Sequence, residues 1–245
     1  MNFQIVCYEE IDSTNSEAWR LIDRFKIAQI ETASANTVII AKRQTKGRGQ
    51  RGHQWQSDLG GLFMSVILQP NRELAAANAH QITLWSAWGI AKKLNETGAN
   101  VKLKWLNDLL IDRRKLGGIL TETRIEADEI RYAVVGIGLN WTNAVPDGAI
   151  ALGELPTTLS SMDELIEVVL SGVELGQTCS QNQGMAGILT EYLEMLSDRT
   201  VRQTVNGQDL QGQIVDIRPT GELVVRWEDS SYNVIYQPQN FSVGY

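Results

Sequence analysis

Two short apolar runs on either side of a glycine-rich loop set the strongest constraint on the fold. Residues 37–41 read TVIIA, residues 62–68 read LFMSVIL, and TKGRGQRGHQW lies between them at 45–55. Short runs of β-branched and large apolar residues are buried-strand patterns. Helical periodicity surrounds them. Thr14 followed by Glu17 reads as a capping box. Ala18, Leu21, Ile22 and Phe25 then recur at helical spacing, which predicts a helix over 15–25. A second helix is predicted over 75–94, carrying Ile82, Trp85, Trp88 and Ile90. Residues 101–105 alternate, with Val101, Leu103 and Trp105 on one face and Lys102 and Lys104 on the other. Residues 109–111, a turn at 112–114 and residues 116–123 read as a hairpin, and 129–139 as a further strand. Two amphipathic helices are predicted near 162–175 and 185–196.

The texture changes after Ser197. Short β-like runs at 213–217 and 222–227 are separated by Asn206-Gly207 and Pro219-Thr220-Gly221, and Asn-Gly is a strong hairpin signal. The expected organisation is a main α+β unit with a mixed sheet over 1–197 and a small β-barrel or sandwich over 198–245.

The chain of 245 residues carries 22 Lys and Arg against 29 Asp and Glu, a formal net charge of −7. That acidity argues against a general nucleic-acid binder. A concentrated basic loop inside an acidic chain points instead to a small anionic ligand. Cys7 and Cys179 are the only cysteines, too few for a disulfide framework, so a reducing, cytoplasmic setting is expected. No signal peptide and no membrane-spanning apolar stretch is visible.

The loop Gly47-Arg48-Gly49-Gln50-Arg51-Gly52 fits G-x-G-x-x-G. The dinucleotide-binding version requires a helix to start at the loop, but residues 53–61 are turn-rich without helical period. The kinase version requires a following valine and a V-A-I-K lysine, and the chain has neither. What remains is a cationic loop whose glycines let backbone close over an anion. Arg48 and Arg51 suit phosphate or carboxylate oxygens, and Trp55 offers a flat face to a purine or to a guanidinium. The same residues equally suit a solvated surface loop. A second element adds weight. Lys104, Asn107 and Asp108 stand at a strand end and suit a phosphate with its Mg²⁺. Lys115 precedes Gly117-Gly118, where a ligand can lie against bare backbone.

Four segments in order carry a resemblance to the biotin protein ligase (biotin–[acetyl-CoA-carboxylase] ligase) family. They are Asp12-Ser13-Thr14-Asn15, the glycine loop with Trp55, Lys104 to Asp108 with Lys115 to Leu120, and Gly136-Ile137-Gly138-Leu139-Asn140. The resemblance spans nearly the whole chain. It implies a catalytic domain like that of class II aminoacyl-tRNA synthetases followed by an SH3-like β module. It implies that biotin's carboxylate attacks the α-phosphate of ATP to give biotinyl-5′-AMP, and that a lysine of a biotin carboxyl carrier protein, such as that of acetyl-CoA carboxylase, then takes the biotinyl group.

The resemblance also assigns roles. Ser13, Thr14, Gln44, Gly47, Arg48, Lys115 and Gly118 would hold biotin. Arg48, Gln50, Arg51, Trp55, Asn107, Lys115 and Asn140 would hold ATP or the adenylate. Arg48, Lys104, Asp108 and Lys115 would serve catalysis, and Asp108 with Asn107 would hold Mg²⁺. Plainer roles stand beside these: Ser13 and Thr14 cap a helix in any fold, Asn140 suits a turn after a strand, and Trp55 suits core packing. Two positions depart from the family pattern, Gln50 where an arginine is usual and Leu106 where a proline is common. The Asp12-Ser13-Thr14-Asn15 motif begins so early that no DNA-binding domain is expected before it. Lipoate and octanoyl ligases share the catalytic fold but usually carry an Arg-Arg and a Gly-Gly-Gly motif, and no Gly-Gly-Gly occurs in this sequence. An exposed sheet edge is compatible with a homodimer.

Overall fold

The computed structural model describes residues 3–28, 36–70, 74–205, 208–228 and 233–238. The main unit contains β1 (Gln4–Ile11), α1 (Thr14–Ile27), β2 (Thr37–Gln44), β3 (Leu62–Leu68), α2 (Ala79–Glu96), β4 (Lys102–Lys104), β5 (Asp108–Ile111), β6 (Arg114–Glu126), β7 (Glu129–Leu139), α3 (Met162–Gln183) and α4 (Met185–Glu194). Its strands form one sheet in the order β1-β2-β3-β7-β6-β5-β4. β1 and β2 are parallel and the remaining neighbours antiparallel, so the sheet is mixed, as expected.

Helices cover both faces. Ala18 and Ile22 of α1 pack against Ile39, Ile67, Tyr132 and Val134. On the opposite face, residues of α2, α3 and α4 pack with Val38, Met64, Val66 and Val135. This double cover explains why TVIIA and LFMSVIL show no polar alternation. The strands at 62–68 and 129–139 match the sequence reading residue for residue. The β5–β6 turn is tighter than expected: Asp112 and Arg113 lie at φ 49 and 63, the left-handed pair of a two-residue hairpin turn.

β1 was not foreseen. It is an edge strand with most side chains exposed, so no burial pattern marks QIVCYEEI as a strand. The helix cap is also shifted by one residue. Ser13, not Thr14, is the N-cap, and its Oγ accepts from the Ser16 amide at 3.5 Å. Glu17 does not close a capping box; it accepts from Arg20 Nε at 2.6 Å and from the Tyr8 hydroxyl at 3.2 Å.

The C-terminal strands are β8 (Thr200–Val205), β9 (Gln208–Ile217), β10 (Leu223–Trp227) and β11 (Asn233–Tyr236), in the antiparallel order β11-β10-β9-β8. Among the described residues this sheet is open, not the closed barrel or sandwich expected, because β8 and β11 remain its two edges. Asn206-Gly207 lies outside the described residues, although β8 and β9 on either side of it pair antiparallel. The small sheet shares a core with the main unit: Val201, Ile214, Leu223, Val225 and Trp227 belong to the same cluster as Ile188 and Leu189 of α4. Trp105 Nε1 also donates to the Gly221 carbonyl at 3.2 Å. Among the described residues no helix is long and apolar enough to cross a membrane.

Candidate active site

The start of α1, the glycine loop, the β4–β5 turn and the paired ends of β6 and β7 surround one cavity of about 650 Å³, within the range of small-molecule sites. Ser13, Thr14, Gln44, Arg48, Gln50, Arg51, Trp55, Lys104, Asn107, Asp108, Lys115, Gly118 and Asn140 all line it. Gly47 stands just behind, where a side chain would collide with the Trp55 carbonyl.

Polar groups near the helix start form a chain of bonds. The Thr14 amide donates to Gln44 Oε1 at 2.8 Å, and Gln44 Nε2 donates to Ser57 Oγ at 2.8 Å. Ser65 Oγ lies 2.7 Å from Thr14 Oγ1 and 2.6 Å from Asn15 Oδ1. Ser65 is fully buried; its only signal in LFMSVIL is that a lone hydroxyl in an apolar run has to find a partner. Asp12, just before the cap, accepts from the Ser13 amide at 2.8 Å and pairs with Arg20 at 2.6 Å. The Arg20 hydrogen bond, assisted by the Ser13 amide, holds the Asp12 carboxyl at about 2, below the usual carboxylate range.

The glycine loop folds as a small hairpin. The Gly49 amide donates to the His53 carbonyl at 2.7 Å and the Trp55 amide to the Gly47 carbonyl at 3.0 Å. Arg51 at φ 54 and Gly52 at φ 78 turn its tip. Arg51 Nη2 reaches the Pro238 carbonyl at 3.1 Å, joining the tip to the C-terminal sheet. Arg48 does not point free into the cavity. Its two terminal nitrogens pair with the Glu122 carboxylate at 2.7 and 3.1 Å. The Lys115 ammonium lies 5.4 Å from the centre of the Trp55 ring, and the ring edge abuts Gly138, where an added Cβ would fall 2.7 Å from Nε1. That Nε1 is buried without a hydrogen-bond partner, so packing accounts for much of the placement of Trp55.

Hairpin register builds the charged cluster. Lys104 lies opposite Asp108 across β4–β5, and Asp108 opposite Gly118 across β5–β6. Lys115 Nζ is 2.8 Å from Asp108 Oδ1. Burial pushes the Lys104 ammonium below the ordinary lysine range; the charge of Lys115 adds to that shift and Asp108 opposes it. A Cβ on Gly118 would come within 3.3 Å of Asp108 Oδ1 and 3.6 Å of Lys115 Cε, so the bare backbone there keeps the carboxylate face open.

A family model described as the biotin/lipoate A/B protein ligase family matches residues 9–140, 132 of the 245 residues. The chain belongs to this family. Among biotin/lipoate ligase relatives, the bifunctional ligase/repressor BirA of Bacillus subtilis is 32% identical over 162 residues, 65% of this chain and 47% of that protein. The biotin–[acetyl-CoA-carboxylase] ligase of Paracoccus denitrificans is 32% identical over 149 residues, 59% of this chain and 58% of its own. The chain therefore spans about half the length of these curated relatives. A biotin protein ligase from Aquifex aeolicus, solved in complex with biotin and ATP, superposes with a TM-score of 0.70 at 23% identity, covering 96% of this chain and 99% of that one; this establishes the shared fold.

Set in this biotin/lipoate ligase frame, two expected nucleotide contacts turn inward. Asn140 donates from Nδ2 to the carbonyls of Lys115 and Ile150, both at 3.3 Å, and its Oδ1 accepts from Asn143 at 3.1 Å. Asn107 Nδ2 donates to the Ile119 carbonyl at 2.9 Å. Both asparagines line the cavity while tying down backbone. The Asn107–Asp108 pair does not fit a resident Mg²⁺. Asp108 is already paired with Lys115 and faces Lys104, so a divalent cation there would meet two ammonium groups. Among the described residues no three His, Cys, Asp or Glu side chains gather to hold a metal. Glu122, which binds Arg48, carries no signal in the sequence, because its role rests on a partner 74 positions away.

Proposed function

We propose that this chain is a biotin protein ligase. The single observation that carries the reading is the convergence of Arg48, Lys104 and Lys115 on one cavity that also holds the Thr14–Gln44 hydrogen-bonding groups. The names of the curated relatives support biotin over lipoate as the substrate.

In the first step two anions have to meet. A biotin carboxylate oxygen bonds to the α-phosphorus of ATP, the bond from that phosphorus to the bridging oxygen breaks, and pyrophosphate leaves. Arg48, Lys104 and Lys115 neutralise the repulsion and stabilise charge on the transferred group, and close placement supplies much of the remaining acceleration. ATP enters as its magnesium complex, so the ion belongs to the substrate rather than to Asn107 and Asp108. Ser13, Thr14, Gln44, Gly47 and Gly118 form the biotin end, and Gln50, Arg51 and Trp55 flank the nucleotide. Asn107 and Asn140 act by holding the backbone of Ile119 and Lys115. In the second step a carrier lysine amine attacks the mixed anhydride's acyl carbon, AMP departs, and Asp108 accepts the amine's proton. The acceptor is a biotin carboxyl carrier protein, such as that of acetyl-CoA carboxylase.

Residues 1–197 form the catalytic unit, related to class II aminoacyl-tRNA synthetases, and residues 198–245 an SH3-like module. The −7 net charge supports an enzyme that does not engage DNA, and two cysteines support a cytoplasmic setting. The exposed β1 edge, with Ile5 and Val6 in contact with water, suits a homodimer. Mixing the purified chain with ATP, magnesium and biotin should release pyrophosphate and leave biotinyl-5′-AMP; release with lipoate alone, or none with either acid, would overturn the assignment.

A further inference from the structure

We infer that Glu122 is a positioning residue that aims Arg48 at the anionic ligand; the inference rests on the ligase reading and deepens it. Arg48 lines the cavity, and Glu122 is bonded to it. Four donors converge on the Glu122 carboxylate. Arg48 Nη2 lies 2.7 Å from Oε1, and Arg48 Nη1, Asn15 Nδ2 and Trp19 Nε1 lie 3.1, 2.8 and 3.4 Å from Oε2. Among the described residues every side-chain bond of Arg48 goes to Glu122.

Partly exposed ion pairs ordinarily contribute little, because two long side chains lose freedom to hold one geometry. Here the side chains are 44% and 24% exposed, but two further donors, Asn15 and Trp19, also hold the carboxylate. Asn15 is buried and wedged against Gly136, whose backbone leaves no space for a Cβ. Trp19 lies beneath the Arg124 guanidinium, 4.9 Å from its ring centre. Both neutral donors therefore hold Glu122 without help from Arg48. The end-on pair uses two of the five guanidinium N–H groups and leaves the others to an anion. Without Glu122, a long flexible side chain between Gly47 and Gly49 would have no set direction, and the ligand would have to order it on binding.

The test is a double-mutant cycle on the full chain, reading dissociation of a non-hydrolysable biotinyl-AMP analogue by titration calorimetry. Glu122→Gln should weaken binding about tenfold, whereas in an Arg48→Ala background the same change should have no further effect. Glu122→Asp, which keeps the charge but retracts it, should give a smaller loss that also vanishes with Arg48→Ala, and it replaces Glu122→Gln if that variant does not fold. Unchanged affinity overturns the inference. So does tighter binding, which would make Glu122 a competitor for the arginine, and so do additive losses, which would place its role in holding α1 through Asn15 and Trp19. If the unaltered chain binds no analogue, the ligase reading is what fails, and the role of Glu122 falls with it.

Discussion

The side-chain amide of Asn140 is bonded to the backbone carbonyl of Lys115, so the end of β7 holds the residue that carries one of the cavity's cations. Asn140→Ala removes that bond and leaves the Ile150 carbonyl without its donor as well. Stability should fall by about 1–3 kcal/mol, read from denaturant midpoints. Adenylate formation should fall further than stability accounts for, because Lys115 keeps its bonds to Gly148 and Ile150 but loses the one that ties it to the end of β7.

Gly138→Ala tests the packing of Trp55. The new methyl would sit 2.7 Å from Trp55 Nε1, and overpacking of this kind costs roughly 1–3 kcal/mol. Trp55 should move outward, its emission shifting to longer wavelength, with Trp55→Phe isolating its signal. Binding of the adenylate analogue should weaken in parallel; an unchanged spectrum would mean that the neighbouring strand yields instead.

Gln50 lies in the cavity wall without a charge to offer. Gln50→Arg should slow the escape of biotinyl-AMP in a filter assay, with little change in the fold. Equal release rates would show that residue 50 does not face the phosphate.

Asp108 pairs with Lys115 and opposes the downward shift of Lys104. Asp108→Ala should slow overall biotin transfer roughly a hundredfold. It should also move the alkaline limb of adenylate formation to lower pH, since removing a negative charge makes the Lys104 ammonium easier to deprotonate. A limb that stays in place would separate Lys104 from the charged step.

Asp12 supplies a pH-dependent contribution to stability. Its folded carboxyl is lowered to about 2, below an unfolded value near 3.9. The stabilisation is therefore present above the unfolded value and is lost as pH falls through the folded one. Asp12→Asn should be less stable than the unaltered chain at neutral pH, and the gap should close between about pH 4 and pH 2 in thermal unfolding.

Much of this fold is legible in the residues alone where burial is complete on both faces. LFMSVIL has water on neither side, so hydrophobicity alone delimits it. QIVCYEEI pairs on one edge only and shows most of its side chains to solvent, and nothing in its composition distinguishes it from a loop. The cluster of Lys104, Asp108 and Lys115 is legible because a hairpin of short reach assembles it. The partners of Arg48 and Thr14 are not, because Glu122 and Ser65 arrive from distant strands and only the sheet order brings them near. Asn107 and Asn140 stand in the wall of the cavity, but an amide that can serve either ligand or backbone does not reveal which from its spacing.

The bond from Arg51 to the Pro238 carbonyl gives the molecule a temporal order. Ribosomes deliver the helix start, the hairpin and both lysines long before Pro238, which also lines the cavity. A nascent chain can thus lay down its large sheet and still lack the piece that latches the hairpin tip, so the chamber is finished only once Pro238 has followed.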